Sequence, residues 1–221
     1  MKILYIILAR KGSKRLKNKN LLKINNQTLI ELTINFVKKI APLNRIIFST
    51  DSKKMKNIAN KLGVKTPWLR PKSLSLDSSS SFEASSHAIK WYENKFGKID
   101  VVALFQPTSP FRSKMHFKRA LKKFKENSKI PLISVKKISL TGDKILIKKN
   151  KYMTYFSNNR NEVKAFIPSG SFYLIKKIIL LKNQSYYANK MNYFEIEDHL
   201  MNVDIDTLND YLLAKKLSTK N

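Results

Sequence analysis

The sequence predicts an α/β protein with a mostly parallel sheet and helices on both faces. Three observations carry this. Short apolar runs at residues 3–9, 45–50 and 101–105 are nearly continuous rather than alternating, as strands buried on both faces are. Longer amphipathic stretches stand between them. Turn residues mark the joins, and no internal repeat is visible. Strands alternating with helices of 10–15 residues build βαβ units. The 221 residues suit a single domain, 1–221, with a β-rich insertion at 139–166.

The elements follow in order. Residues 3–9 read as the first buried strand. Over 29–40 the apolar residues Leu29, Ile30, Leu32, Ile34, Phe36, Val37 and Ile40 keep a mostly helical period, and Pro42 ends it. Residues 45–50 form a second strand running into Asp51, and 54–62 a helix closed by Gly63 as C-cap. A short third strand is expected at 64–68. The serine-rich loop 70–81 leads into a helix with Phe82, Ala84, Ala88, Ile89, Trp91 and Tyr92 on its apolar face. Ser80 or Ser81 is its natural N-cap. The strand at 101–105 ends at Gln106-Pro107-Thr108-Ser109-Pro110, which can neither continue a strand nor begin a helix before Pro110. A helix at 114–124 and a strand at 130–135 come next. From 139 to 166 the apolar pieces Ile145, Ile147, Tyr152, Met153 and Tyr155 are short and broken, a β-rich excursion from the main sheet. Residues 172–175 return to strand, and 206–217 close as a helix.

Composition sets bounds on function. The chain is 43% hydrophobic and 10% aromatic, enough to build a core. It has no cysteine, which excludes disulfides, thiolate zinc sites and cysteine nucleophiles. The charge is lopsided, with 44 Lys and Arg against 15 Asp and Glu, a net +29. This admits a nucleic-acid or anionic-membrane binder, or a compositional bias toward lysine over the whole surface. The basic pairs, such as Lys38-Lys39, Lys122-Lys123 and Lys215-Lys216, are dispersed between apolar runs and form no single arm, so the second reading is favoured. No apolar run approaches the ~20 residues that span a bilayer. The first apolar run is short and passes straight into Arg10-Lys11-Gly12-Ser13-Lys14-Arg15 without a cleavage signature, so a cytoplasmic location is expected.

Two constellations carry chemistry. Arg10, Gly12, Ser13, Lys14, Arg15, Lys19 and Asn20 follow the first strand. In open α/β sheets, ligands bind beyond the carboxyl ends of strands. A glycine there lets backbone approach a ligand, consecutive amides form an anion nest, and the cations neutralise a polyphosphate. The stretch has neither the second glycine of a Walker loop nor the three of a dinucleotide fingerprint. Its alternative is an ordinary solvated basic loop. Near the carboxyl end, alternation puts Asp204 and Asp206 on one side of an extended segment, with Val203 and Ile205 on the other. Two such carboxylates suit Mg²⁺, which takes one or two carboxylates plus phosphate oxygens. The alternative is that Asp206 caps the last helix. His87, His116 and His199 are scattered, and the first two fall within helices as packing or surface residues.

Five stretches together resemble the CMP-sialic acid synthetase (acylneuraminate cytidylyltransferase) family: ILARKGSKRLKNKNL at 7–21, IIFSTDS at 46–52, LRPKSLSLDSSSS at 69–81, LFQPTSPFR at 104–112 and VDIDTLNDYLLAKKL at 203–217. They stand in family order and span most of the chain. The resemblance implies a Rossmann-like, three-layer nucleotidyltransferase that joins CTP to a nine-carbon 2-keto acid sugar with Mg²⁺, releasing pyrophosphate. It implies that Arg10 and Lys19 hold the triphosphate with Lys14 and Arg15 nearby. Asn20 and Ser81 would contact the nucleotide, and Gln106 would lie between nucleotide and acceptor. Asp204 and Asp206 would hold the metal, one of them helping to deprotonate the attacking hydroxyl. Arg160, Tyr173, Tyr186 and Tyr187 fall in the sugar-side region. The insertion would be a dimerisation arm, making the protein a homodimer. Two departures lie on the sugar side: Ser169-Gly170 replaces the usual Asn-Gly, and Arg160-Asn161-Glu162-Val163 lacks the usual Arg-Gln pair. The serine run at 78–81 looks more like sialic or legionaminic acid enzymes than pseudaminic ones. Competing readings are transfer to 3-deoxy-octulosonate or pseudaminic acid, an inactive scaffold relative, and a basic nucleic-acid binder.

Overall fold

The computed structural model describes residues 1–141, 146–149, 152–155 and 162–219. Its centre is a six-stranded sheet. The strands are β1 (Ile3–Leu8), β4 (Ile46–Ser49), β5 (Val101–Phe105), β6 (Leu132–Thr141), β9 (Glu162–Lys176) and β10 (Asn192–Glu195). β2 (Lys23–Ile24) and β3 (Gln27–Thr28) pair antiparallel across a two-residue turn, and β7 (Leu146–Lys149) and β8 (Tyr152–Tyr155) pair antiparallel as a separate two-stranded sheet. The spatial order is β10-β6-β9-β5-β1-β4. β1 pairs parallel with both β4 and β5, and β10 pairs parallel with β6. β9 runs antiparallel to both its neighbours, so it alone is reversed in a sheet that is otherwise parallel.

Alternation along β1 sends residues to two layers. Ile3, Tyr5 and Ile7 join Phe48, Phe105 and Phe172 beneath helices α1 (Leu29–Lys38), α2 (Lys53–Lys61) and α4 (Lys114–Glu126). Leu4 and Ile6 join Ile47, Val102 and Leu104 beneath α3 (Ser81–Phe96) and α5 (Lys177–Asn183). Leu4, Ile6 and Ile7 are wholly buried, each worth ~1.5–3 kcal/mol of hydrophobic stabilisation. Helix α6 (Leu208–Ser218) packs Ala214 into a third cluster with Ile24, Leu29, Val203 and Ile205.

Most expected elements are present, and the differences have local causes. Residues 64–68 do not form a strand. Lys65 makes one bridge to Ile47, and Pro67 two residues on has no amide to extend it. The strand expected at 130–135 is longer, because β6 and β9 continue as an antiparallel ladder from Val135↔Pro168 to Thr141↔Glu162. Among the described residues of 139–166, that ladder and the antiparallel β7–β8 pair are all strand. The β2–β3 hairpin turns on Asn25 and Asn26, both at positive φ. Such a pair suits the primed turns of tight hairpins. Ser80, not Ser81, caps α3, in a capping box with Glu83. The last helix begins at Leu208, and Thr207 with Asp210 caps it, so Asp206 is not a cap.

Candidate active site

A cavity of about 400 Å³ opens at the carboxyl ends of β1 and β5. Arg10, Gly12, Ser13, Lys14, Arg15, Lys19 and Asn20 line it, with Gln106, Pro107 and Thr108 from the loop after β5 and Asp206 from the carboxyl end. β1 lies between β4 and β5, so the chain crosses away from it in both directions. That is the switch-point geometry at which α/β sheets bind ligands. The basic loop therefore sits on a cavity wall.

The cations there are already engaged by carboxylates. Lys19 Nζ lies 2.6 Å from Asp206 Oδ1, and Arg15 Nη2 2.5 Å from Oδ2. Arg10 Nη1 and Lys14 Nζ approach opposite oxygens of Asp77 at 2.5 and 2.7 Å. The Lys14 ammonium and the Arg10 guanidinium hold the Asp77 carboxyl below the ordinary carboxylate range. Four cations thus face two carboxylates, leaving an electropositive cavity. Asn20 is buried, with Nδ2 donating to the Arg10 carbonyl at 3.0 Å, and its Oδ1 has no partner among the described residues.

Two features of this loop bear on the expected anion site, and neither overturns it. Gly12 is not at positive φ, and a Cβ on it would meet nothing within 4 Å. The chain's own packing does not demand glycine there. Nor are all the amides available as a nest, because Lys11 N–H donates to Asp51 Oδ1 at 2.7 Å.

Asp204 and Asp206 both stand away from the buried side of their segment, where Val203 and Ile205 pack, as alternation predicts. They nevertheless line different cavities. Asp206 faces the cation cavity, whereas Asp204 lines a neighbouring one with Lys136, Asn202 and Asp210. The chain between them is fixed by Ile205 N–H donating to Thr108 O at 2.8 Å. Asp204 is tied inward: Ser109 Oγ lies 3.2 Å from its Oδ1 and 3.0 Å from Ser169 O. Gly170, at φ 75°, sits against this junction. A Cβ there would collide with Ser109 Oγ and lie 3.6 Å from both Asp204 Oδ1 and Gln106 Oε1. Asp204 and Gln106 therefore converge on Gly170. Ser169, the departure next to it, is wholly buried, with its Oγ donating to Ser134 Oγ at 2.8 Å.

A second cavity, of about 160 Å³, adjoins the first through Gln106. Ser81, Tyr173, Tyr186 and Tyr187 line it with Ser80, Phe82, Leu104, Gln184 and Ser185. No lining side chain carries a formal charge. Ser81 thus stands in the neutral cavity rather than beside the cations. Tyr173 OH lies 3.4 Å from both Gln106 Oε1 and Tyr187 OH. Burial, then Tyr187 and Asp204, push the Tyr173 phenol above its ordinary range. Tyr186 is buried, and its hydroxyl donates to Ser85 Oγ at 2.7 Å, which gives it a packing role as well as a lining one. Arg160 lies outside the described residues.

Three contributors were not singled out in the sequence. Asp77 closes the ion pairs of the first cavity. Arg70, only 6% exposed, donates its backbone amide to Thr50 O at 2.7 Å, and its Nε is buried without a partner among the described residues. Burial lowers its pKa, Asp51 opposes this, and the nearby charge of Arg10 adds to it. Arg112 ties the loop after β5 to its neighbours. It donates to Gln106 O at 2.5 Å, Ser171 O at 2.8 Å and Thr33 Oγ1 at 3.2 Å. Burial pushes this guanidinium down to about 9, with Asp204 opposing, so it stays charged at neutral pH. The only sequence signal was membership of quoted motifs, since none of the three stands out by type or spacing.

A mixed sheet with an electropositive cavity at this switch point has the architecture of the nucleotidyltransferase folds. Among solved structures, CMP:2-keto-3-deoxy-manno-octonic acid synthetase complexed with CTP superposes with a TM-score of 0.73 at 15% identity, covering 100% of this chain and 99% of that one. The chain belongs to the cytidylyltransferase family, whose family profile matches residues 4–221. It is 31% identical to the N-acylneuraminate cytidylyltransferase of Escherichia coli O18:K1:H7, over 99% of this chain and 52% of that protein. It is 30% identical to the CMP-N,N'-diacetyllegionaminic acid synthase of Legionella pneumophila subsp. pneumophila, over 100% of this chain and 98% of that one. The chain thus spans about half the length of the first relative and nearly all of the second.

Proposed function

We propose that the protein transfers the cytidylyl group of CTP to a nine-carbon 2-keto acid sugar of the sialic or legionaminic type. One observation carries this reading: a four-cation cavity and a neutral, tyrosine-lined cavity meet at Gln106, in a chain that matches the cytidylyltransferase family almost end to end. A triphosphate suits the first cavity and an uncharged, acylated part of a sugar the second. The anomeric hydroxyl would attack the α-phosphorus. One P–O bond to the sugar forms, the P–O bond to the β-phosphate breaks, and pyrophosphate leaves. Chemistry of this kind needs mainly positioning and charge neutralisation.

In this reading Arg10, Lys14, Arg15 and Lys19 neutralise the phosphates. Gln106, held by Arg112 through its carbonyl, sits between nucleotide and acceptor. Asp204 and Asp206 are the hard oxygen donors that Mg²⁺ prefers. Asp206 lies beside the Gln106–Thr108 loop in the cation cavity and Asp204 beside Gln106 and Gly170 in the neighbouring one, so a metal held by both would bind at the junction of the two cavities, against substrate oxygens. Mg²⁺ bound there would supply charge for the triphosphate and lower the cost of ionising the attacking hydroxyl. A cytoplasmic setting follows from the use of CTP.

The insertion is read as a dimerisation arm. Tyr152 and Met153 on β8 are 76% and 60% exposed, and Phe166 and Ile167 on β9 are also open; neighbours along a strand face opposite ways, so both strands offer apolar side chains on each face for a second copy to cover. Sedimentation at micromolar concentration is expected to give a dimer. A monomer that still turns over would remove the arm's assigned role.

The experiment for the activity is product identification. Protein, CTP, Mg²⁺ and N-acetylneuraminic, legionaminic, pseudaminic or 3-deoxy-octulosonic acid are combined and analysed by mass spectrometry. A CMP-sugar from a nine-carbon acid is expected. Preferential turnover of the eight-carbon acid would move the acceptor assignment. No CMP-sugar with any acid would refute the reading.

A further inference from the structure

Asp77 sits in the loop between Pro71 and α3. Its two carboxylate oxygens take one cation each, Arg10 at 2.5 Å and Lys14 at 2.7 Å. A guanidinium and an ammonium gripping two oxygens of one acid is the arrangement by which such a pair grips a phosphate. The pairs are accessible, since the Arg10 and Asp77 side chains are 36% and 42% exposed and that of Lys14 is 80% exposed.

The loop carrying Asp77 is tied mainly to itself. Ser75 Oγ donates to Pro71 O at 3.0 Å, Ser79 Oγ to Ser73 O at 2.9 Å, and Leu76 N–H to Ser79 Oγ at 3.0 Å. It is a small self-braced strap whose tip reaches the cavity through Asp77. On the other wall, Asp206 engages Lys19 and Arg15, but from the extended segment that Ile205 anchors to Thr108. The two carboxylates differ in this respect: one is fixed to the sheet, the other rides on a strap.

We propose that Asp77 is a built-in competitor for the polyphosphate, holding Arg10 and Lys14 in their binding positions and yielding them to the phosphates of CTP. The inference rests on the reading of the first cavity as the polyphosphate site. The ion pairs to Asp77 must be broken before the phosphates bind, a cost that outweighs any gain from ordering two exposed side chains. The carboxylate also retakes the cations as pyrophosphate departs, so product is held less tightly than four unopposed cations would hold it.

The test is calorimetric binding of inorganic pyrophosphate and of CTP, at fixed ionic strength, to the wild type, Asp77→Asn and Asp100→Asn. Asp77→Asn keeps the side chain's shape and removes its charge from an exposed loop. Asp100 precedes β5 at the far end of the sheet, so Asp100→Asn makes the same change in net charge away from the cavity. Each exposed ion pair is worth little, so Asp77→Asn is expected to bind both ligands roughly 3- to 10-fold more tightly. Asp100→Asn is expected to match the wild type. Unchanged or weaker binding by Asp77→Asn, or equal tightening by both variants, overturns the proposal while leaving the polyphosphate site in place. Failure of the wild type to bind either ligand removes both readings together.

Discussion

At the scale of the residue, the chemistry lies in a few charges whose partners are far away in sequence. Lys19 and Asp206 are 187 positions apart and 2.6 Å from each other. The spacing of Arg10, Lys14, Arg15 and Lys19 admitted an anion site beside the reading of a solvated basic loop. It did not announce that Asp77 would engage two of them, because nothing about an aspartate in a serine-rich loop marks it as reaching the end of β1. The Asp204-x-Asp206 alternation was legible as two carboxylates opposite Val203 and Ile205. Their division between two cavities was not, since it depends on where Ser109 and Gly170 lie. If Asp204 and Asp206 hold a metal against the triphosphate, Asp204→Ala and Asp206→Ala should each lower kcat by at least ~100-fold, the scale of losing a central electrostatic group. Both variants should melt cooperatively near the wild-type temperature. Near-normal turnover in both, measured by pyrophosphate release, would remove the carboxylates from the chemistry.

Among the elements, those with strong periodicity and clear punctuation were readable. β1, β5, α1 and α3 stand where continuous apolar runs, a helical period and, for α3, a serine cap put them. The short β2, β3 and β10, and α5, are not legible in the sequence. Their pairing comes from tertiary neighbours, as when β10 finds its register only against β6. The reversal of β9 was also hidden, because parallel and antiparallel strands buried on both faces have the same composition. β9 nevertheless delivers a critical residue. Gly170 needs both its positive φ and its missing Cβ, which explains a glycine within a long strand. Gly170→Ala is expected to destabilise the protein by about 1–3 kcal/mol, through left-handed strain and collision with Ser109. It should also lower kcat by displacing Asp204 and Gln106. A change below ~0.5 kcal/mol in chemical denaturation, with normal kcat, would contradict this account of the junction.

For the molecule as a whole, the net +29 is unevenly placed. α4 carries Lys114, Lys118, Arg119, Lys122, Lys123 and Lys125 against Glu126, while α3 balances Lys90 and Lys95 with Glu83 and Glu93. This sidedness could not be seen from dispersed lysine pairs. The excess on α4 lies on a covering layer of the sheet, whereas the cations lining the first cavity stand at the strand ends. Among the described residues no helix is long and apolar enough to cross a membrane. The architecture was legible because βαβ alternation has few topological solutions. The paired cavities were not, because they form where loops from β1, β5 and the carboxyl end meet. The most direct test of the central claim is steady-state pyrophosphate release with single omissions. Release is expected only when CTP, Mg²⁺ and a nine-carbon 2-keto acid sugar are present together, and is lost when any one is withheld. Release that persists without the sugar, or none with all three present, would contradict it.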